Sequence, residues 1–156
     1  MKTTIIEGDL LETEAEVIVH QVNCMGKMGS GVAKAIRDKW PIVYEKYHEL
    51  FYQDFFVVKL GICQPVKVSD TQRVINMFSE ENYGYDGKMY TSYDAVNECF
   101  GKIRKYMESN GLKTMAIPYK MSCVRGGANW DAIMALLNAN FGDSDISIEI
   151  RKLDRG

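Results

Sequence analysis

The first third of the chain passes from apolar runs with strand character to apolar positions at helical spacing. Residues 3–6 are a short β-rich run, and residues 15–22 carry a nearly continuous apolar stretch, which suits a strand covered on both faces. Between residues 31 and 39 the apolar side chains recur at helical spacing, and Pro41 marks the end of that helix. Residues 42–52 predict a second helix.

The rest of the chain predicts three consecutive strands and then another alternation. Residues 55–60, 62–68 and 73–78 are rich in apolar and β-branched side chains and are separated by turn residues. A helix opens at Ser92 and stops at Asn110 and Gly111. A short strand over 114–117, a helix over 131–140 and a strand with alternating isoleucines follow, the isoleucines being Ile146, Ile148 and Ile150.

This order of elements indicates the fold class. Strands and helices alternate at both ends of the chain around a run of strands, which is typical of a three-layer α/β/α sandwich with a mixed central sheet. A length of 156 residues fits one core, so we predict a single domain over residues 1–156. Ligands of such sheets bind at the carboxyl ends of the strands, and the loops that emerge there are the candidate site.

Composition narrows the chemistry. The formal net charge is −2, so an anionic ligand would be held by backbone amides and a few cations, without a positive field over the whole chain. Two histidines and four widely spaced cysteines predict neither a metal site nor a disulfide framework. No apolar run reaches the length of a membrane span or a signal peptide, so we expect a cytoplasmic protein. We also expect a monomer without a cofactor.

Two glycine-rich loops, each between a strand and a helix, are candidates for a phosphate site. Residues 23–31 contain Gly26, Gly29 and Gly31, and residues 119–130 contain Gly126 and Gly127. Glycine lets backbone N–H groups approach an anion, and a helix amino terminus adds its dipole. Two such loops could clamp a diphosphate between them. Glycines in strand-to-helix turns also serve packing alone, and the sequence leaves that alternative open.

Side chains near these loops could complete such a site. Arg125 could add a charge-assisted fork to phosphate, or it could be a solvated loop arginine. A third loop over residues 76–88 carries aromatic and polar side chains that suit a wall against a ribose or a base. It could equally be a plain surface loop.

The motifs of the whole chain resemble those of macro domains, a family that binds ADP-ribose. The resemblance lies in residues 8–11, 17–24, 28–36 and 39–41, and it continues through 76–78, Pro118, Tyr119 and Trp130. The chain is most similar to the branch with the yeast-type ADP-ribose-1″-phosphate phosphatase and the terminal ADP-ribose glycohydrolases. The ligand implied by the resemblance is ADP-ribose or ADP-ribose-1″-phosphate, and an ADP-ribosylated macromolecule is a further candidate partner.

The resemblance also implies roles for individual residues. Asp9, next to Leu10, would accept a hydrogen bond from the adenine amine, and Asn23 would meet the distal ribose. Asn23 and His20 are the implied catalytic residues, and Phe78 would form an apolar wall at that ribose. The remaining implied ligand-binding residues lie in the two glycine-rich loops: Lys27, Met28, Gly29, Ser30, Gly31, Val32, Cys123, Val124, Arg125, Gly126, Gly127 and Ala128.

Departures from the family pattern bear on the reaction. Relatives often carry small or apolar residues where this chain has Lys120, Ser122, Val124 and Arg125. Glycohydrolases that act on terminal ADP-ribose use a lysine after the third-loop strand, whereas this chain has Ser79, Glu80 and Glu81. Chemistry through a lysine adduct is therefore disfavoured.

Two functions from different classes remain open. A hydrolase needs a group that assists proton transfer at the distal ribose, and His20 or one of the glutamates Glu80 and Glu81 could supply it. A histidine in an apolar strand is also a common core residue. The alternative function is a module that binds ADP-ribose and turns over nothing.

Overall fold

The computed structural model describes residues 1–29, 31–82, 84, 88–123 and 126–153. Its strands are β1 (Lys2–Glu7), β2 (Val17–Asn23), β3 (Cys63–Lys67), β4 (Arg73–Glu80), β5 (Thr114–Pro118) and β6 (Ser147–Lys152). Its helices are α1 (Gly31–Lys39), α2 (Pro41–Glu49), α3 (Tyr93–Ser109) and α4 (Trp130–Phe141). Single 3₁₀ turns cover Leu10–Glu12 and Leu50–Tyr52.

The strands form one mixed sheet in the order β1-β6-β5-β2-β4-β3. Strands β1, β6, β5, β2 and β4 run parallel, and β3 at the edge is antiparallel to β4. Five parallel strands place five carboxyl ends at one edge of the sheet. The mixed sheet of the sequence prediction is confirmed.

Alternation along the central strands separates two cores. Successive side chains of a strand point to opposite faces, and β2 accordingly sends Val17 and Val19 toward α3 and α4 and Ile18 and Val22 toward α1 and α2. Strand β4 repeats the alternation: Ile75 and Met77 lie on the α3/α4 face, and Val74 and Phe78 lie on the α1/α2 face. Helices on both faces make the three predicted layers.

Local signals set the helix ends. The Ser92 hydroxyl accepts a hydrogen bond from Ala95 N at 3.1 Å, which caps α3 at the predicted residue. Asn129 caps α4 in the same way, through Ala132 N at 3.2 Å. At the other end of α3, Gly111 takes a left-handed φ of +66°, which ends the helix where the sequence placed the stop.

The strand predicted over residues 55–60 is wrong. This segment has no strand pairing, and Phe55 is fully exposed at a left-handed φ of +64°. Apolar and β-branched residues favour a strand only where a neighbouring strand can pair with them. Here β3 already occupies the edge beside β4, so the segment leads across the surface to Gly61, whose N–H donates to Phe78 O at 2.8 Å.

Within the described part of the chain, no helix is long and apolar enough to cross a membrane, and no three His, Cys, Asp or Glu side chains are grouped as metal ligands would be.

Candidate functional site

Three loops emerge at the carboxyl edge of neighbouring parallel strands. Loop one (residues 24–30) leads from β2 to α1, loop two (119–129) from β5 to α4, and loop three (81–92) from β4 to α3. Because β5, β2 and β4 are adjacent and parallel, the three loops meet at one edge, as expected for a ligand site. The predicted site residues Ser30, Val124 and Arg125 lie outside the described residues, as do Tyr83 and residues 85–87 of loop three.

Asn23, at the end of β2, shapes loop one with its side-chain amide. Its Oδ1 accepts from Met25 N at 3.0 Å, and its Nδ2 donates to Lys27 O at 2.9 Å. The Tyr47 hydroxyl donates to Asn23 O and Oδ1 at 2.8 and 2.9 Å from the face of α2. Both polar ends of this buried amide are thus used to hold the loop. A hydrogen bond from Asn23 to a ligand would be additional to these hydrogen bonds within the protein.

Gly29 is a glycine that packing does not require. A Cβ added there would meet no heavy atom of the described residues within 4 Å, and its φ is outside the left-handed region. Gly26 differs, because its φ of +76° favours glycine. The neighbouring Met28 is buried in the α1/α2 core as a whole residue, so neither its side chain nor its backbone is exposed. Loop one therefore presents bare backbone beside open space at Gly29.

Loops two and three are joined by a clamp cluster, which we define as Gln21, Ser79, Thr91 and Ser122. Gln21 Nε2 donates to Ser79 Oγ at 2.9 Å and to Thr91 Oγ1 at 3.0 Å. Thr91 Oγ1 in turn donates to Ser122 O at 3.2 Å in loop two. Gly126 O accepts from the backbone N–H groups of Tyr90 and Thr91 at 2.8 and 2.9 Å. Side chains and backbone together fix loop two against loop three.

The two glycines of loop two are required by this packing. A Cβ on Gly126 would collide with Thr91 Oγ1 and lie 2.6 Å from Ser122 O. A Cβ on Gly127 would collide with Lys88 O, and its φ of +70° is left-handed. Packing against loop three accounts for both glycines, and a role with phosphate stays a prediction.

Loop two keeps a glycine-like backbone without glycine at two further positions. Lys120 has a φ of +57° and Ser122 a φ of +74°, where relatives often carry small residues. A left-handed conformation costs a residue with a Cβ on the order of 1 kcal/mol. The Ser122 hydroxyl is buried and has no hydrogen-bond partner among the described residues. Lys120 and Ser122 therefore keep the conformation of the turn, and the backbone is strained at both residues.

Two predicted ligand-binding amides of loop two are already engaged. Cys123 N donates to Lys120 O and Ala128 N donates to Ser122 O, both at 3.0 Å. Burial raises the pKa of the Cys123 thiol, which lowers the fraction present as the nucleophilic thiolate. Neither residue presents a free backbone donor to an anion in this conformation.

A cavity of about 130 Å³ lies at the same edge, beyond loop two. Its walls come from the segment after β1, the first turns of α1 and the ends of β5 and β6: Asp9, Leu10, Leu11, Val32, Ala35, Pro118, Tyr119, Arg151, Lys152 and Leu153. Asp9 Oδ1 accepts from Leu11 N at 2.9 Å and so caps the 3₁₀ turn. A lining with one carboxylate and mostly apolar side chains suits a flat heterocycle that carries a hydrogen-bond donor.

The sequence did not point to the cationic side of this cavity. Arg151 is engaged with Glu149, whereas Lys152 places its ammonium group 5.0 Å from the centre of the Tyr119 ring. Lys120, which is not part of the cavity wall, places its ammonium group 5.6 Å from the same ring centre. The position of Arg151 and Lys152 in the sequence could have indicated this, because residues at the carboxyl end of the parallel strand β6 lie at the same edge of the sheet as Asp9. The sequence also did not predict that Tyr47 hydrogen-bonds to Asn23, because the spacing of Tyr47 places it on an apolar face of its helix.

His20 is buried beneath the site on the α1/α2 face. Its Nε2 lies 2.6 Å from Asn76 Oδ1, and Asn76 Nδ2 donates to Gln64 Oε1 at 3.0 Å, so Nε2 carries the proton. His20 Nδ1 has no hydrogen-bond partner among the described residues. Burial lowers the pKa of His20 to about 4. The imidazole is therefore neutral at neutral pH, and its hydrogen bond joins two strands of the sheet.

The burial of His20 predicts a pH dependence of stability. Below pH 6.5 the unfolded chain binds a proton that the folded imidazole, with its pKa of about 4, still rejects. The free energy of unfolding should therefore fall as the pH falls from 6.5 to 4, by up to about 3 kcal/mol for a shift of this size. The free energy of unfolding, measured by urea titration at several pH values in this range, should depend less steeply on pH for His20→Gln than for the wild type. Equal slopes would contradict the burial of a neutral His20.

Phe78 needs a correction. Its side chain is fully buried and packs against the Tyr47 ring, with centroids 5.5 Å apart. It forms the floor beneath loop one, not an exposed wall at a ligand. Its place in strict alternation near the end of β4 sends it into the α1/α2 core.

The sequence and the fold of this chain are similar to those of known proteins. A family model described as macro domain matches residues 19–137. A DNA ADP-ribosyl glycohydrolase of Mycobacterium bovis is 24% identical over 136 residues, which cover 86% of this chain and 37% of that protein. An ADP-ribose 1″-phosphate phosphatase of Aspergillus oryzae is 41% identical over 44 residues, or 28% of this chain and 22% of the phosphatase. The chain thus spans well under half the length of both relatives.

Solved structures resemble the whole chain. A Bacteroides thetaiotaomicron protein of unknown function superposes with a TM-score of 0.85 at 23% identity, covering 97% of this chain and 98% of its own. Thermosipho africanus DarTG in complex with ADP-ribose gives a TM-score of 0.79 at 16% identity, over 99% of this chain and 42% of that one. At these identities the likeness shows the fold.

Proposed function

We propose that this chain, which belongs to the macro domain family, binds ADP-ribose or ADP-ribose-1″-phosphate and hydrolyses its ligand at the distal ribose. The observation that carries the binding proposal is the cavity at the carboxyl edge, where Asp9 is the lone acidic group in a lining that is mostly apolar and has Arg151 and Lys152 on one side. Val32 and Ala35 of α1 line that cavity, so it opens beside the helix that loop one precedes. The base and the diphosphate would therefore lie in adjoining parts of one edge.

In this proposal each loop takes one part of the ligand. The adenine amine donates to Asp9, the diphosphate lies along loop one at Gly29, and the distal ribose reaches the end of β2 at Asn23. Lys27 is exposed beside Gly29 and can neutralise phosphate charge. The amides of Gly31 and Val32 at the start of α1 are further proposed contacts, as are the predicted site residues Ser30 and Arg125. The M. bovis glycohydrolase, the A. oryzae phosphatase and the T. africanus complex support ADP-ribose as the ligand class.

Asp9 provides the test of binding. Asp9→Asn keeps an Oδ1 that can cap the 3₁₀ turn, and it replaces the second acceptor with an NH₂ group that repels the adenine amine. We expect this variant to bind ADP-ribose more than about tenfold more weakly, because a hydrogen bond to a charged group contributes about 1.5–3 kcal/mol. Its unfolding transition should match that of the wild type, whereas Asp9→Ala also loses the cap. Wild-type affinity by calorimetry in Asp9→Asn would refute the adenine assignment.

A binding module without catalysis is the second candidate, and the position of His20 favours it. The histidine expected to move a proton is buried on Asn76, away from open space. Phosphate release from ADP-ribose-1″-phosphate, together with release of ADP-ribose from ADP-ribosylated DNA and protein, separates the two candidates. A wild-type chain that binds ADP-ribose and releases neither product is a binding module.

A further inference from the structure

A second ionisable side chain lies at the distal end of the site, across the strands from Asn23. Glu80 is the last residue of β4 and pairs in register with Asn23, the last residue of β2. The register between the strands shifts between Val22 and Asn23, so this pair departs from the regular ladder. Irregular strand ends of this kind re-aim side chains and occur next to active sites. Glu80 therefore lies beside Asn23, where we propose that the distal ribose of the ligand binds.

The carboxylate of Glu80 is held inside the protein. Glu80 is only 5% exposed, whereas the adjacent Glu81 is on the surface. The carboxylate lies close enough to Tyr47 on α2 for its charge to act on that residue, which places it toward the α1/α2 face, the side of Phe78. A glutamate is rarely buried without a functional or structural reason, because removing its charge from water is costly.

Contacts with loop one fix the position of Glu80 further. Cys24 N donates to Glu80 O at 3.2 Å, so loop one leaves β2 in direct contact with the end of β4. Burial, with smaller contributions from the charges of Glu81 and Glu80, raises the pKa of the Cys24 thiol to about 11. Burial is also the main cause of the raised pKa of Tyr47, and the Glu80 charge adds to it. The carboxylate therefore acts on the two residues that flank Asn23 in space.

We propose that Glu80 is the general base of the hydrolysis at the distal ribose, a role that rests on the proposed function. With ADP-ribose-1″-phosphate, a water oxygen bonds to phosphorus while its proton passes to the Glu80 carboxylate. The bond between phosphorus and O1″ breaks, its electron pair stays on O1″, and O1″ takes the proton from Glu80. The products are ADP-ribose and inorganic phosphate, and the carboxylate is regenerated.

The neighbouring candidates are less suited to this role. His20 is committed to Asn76 and lies below the edge, inside the α1/α2 core. Glu81 is exposed on the surface, outside the enclosed end of β4. The carboxylate of Glu80 is instead withdrawn from water at the strand end, where a base is more effective. Glu80 and Asn23 would then divide the work: Asn23 shapes loop one around the distal ribose, and Glu80 moves the proton.

The test compares Glu80→Gln with Glu81→Gln, which removes the same charge one residue away. We expect Glu80→Gln to lower kcat for release of phosphate from ADP-ribose-1″-phosphate, or of ADP-ribose from ADP-ribosylated DNA or protein, by about 100-fold or more. Its affinity for ADP-ribose should stay within about threefold of wild type, because a base acts in the transition state. Glu81→Gln should retain wild-type kcat. Calorimetry with ADP-ribose and thermal unfolding accompany both variants.

Each other outcome is decisive. Full turnover in a folded Glu80→Gln variant overturns the role of Glu80 and leaves the proposed function intact. A wild type that binds ADP-ribose but turns over no substrate overturns Glu80 as a base and leaves binding intact. A wild type that does not bind ADP-ribose overturns the proposed function itself. If Glu80→Gln does not fold, Glu80→Asp decides: it keeps the charge but withdraws it by one methylene, and unchanged kcat overturns the proposal.

Discussion

Gly29→Glu is expected to abolish measurable binding of ADP-ribose while leaving the fold intact. The side chain of the introduced glutamate would enter open space, so neither a clash nor a left-handed φ opposes the substitution. The new carboxylate would lie beside the backbone that we propose receives the diphosphate, where it would both fill the space and repel the anion. We expect the dissociation constant to rise more than about 100-fold, which corresponds to about 2.7 kcal/mol. Calorimetry with ADP-ribose measures it.

Two further variants of Gly29 separate charge from volume. Gly29→Gln has nearly the same volume as the glutamate without its charge, so it should bind better than Gly29→Glu and worse than wild type. Gly29→Ala should change the free energy of unfolding by less than about 0.5 kcal/mol. Wild-type affinity in a folded Gly29→Glu variant would mean that loop one is only a connection between β2 and α1.

Gly126→Ala is expected to destabilise the protein strongly, in contrast to Gly29→Ala. The added methyl group would collide with Thr91 Oγ1 and with the backbone of Ser122, which cannot turn aside as a flexible side chain can. Overpacking of this kind costs about 3 kcal/mol. Urea unfolding should show the loss, and binding of ADP-ribose should weaken because loops two and three separate.

Thr91→Ala helps to locate the cause. It removes the nearest clashing atom, so the double variant with Gly126→Ala should recover part of the lost stability, while the contact with Ser122 O persists. If Gly126→Ala unfolds at the same urea concentration as the wild type, the packing of loop two on loop three is looser than described.

The framework of the fold was predictable because local patterns and tertiary packing agree. The continuous apolar stretch of β2 is covered on both faces, and the caps at Ser92 and Gly111 lie where local chemistry requires them. Residues 55–60 show where this agreement ends. Their composition favours a strand, but strand formation depends on a free sheet edge, and the edge beside β4 is taken by β3.

The candidate site was predictable in outline and less so in detail. Asp9 lines the cavity, and the loops meet at the carboxyl edge, as their position between strand and helix implied. The sequence could not reveal that Gly126 is glycine because of Thr91, a residue 35 positions away along the chain. Nor could it separate the buried Glu80 from the exposed Glu81, since burial depends on the length of β4 and on loop one above it.

The sheet itself separates two kinds of polar group at the ends of β2 and β4. The clamp cluster begins at Gln21 and Ser79, on the α3/α4 face, and Glu80 lies one residue further on, toward Tyr47 on the opposite face. A backbone bridge joins Glu80 to Thr91, so the two groups share a strand end while their side chains face different layers. On the proposed roles, a descendant of such a chain can lose turnover through the side chain of Glu80 alone and still recognise its ligand, so a catalyst and a receptor are one substitution apart in evolution.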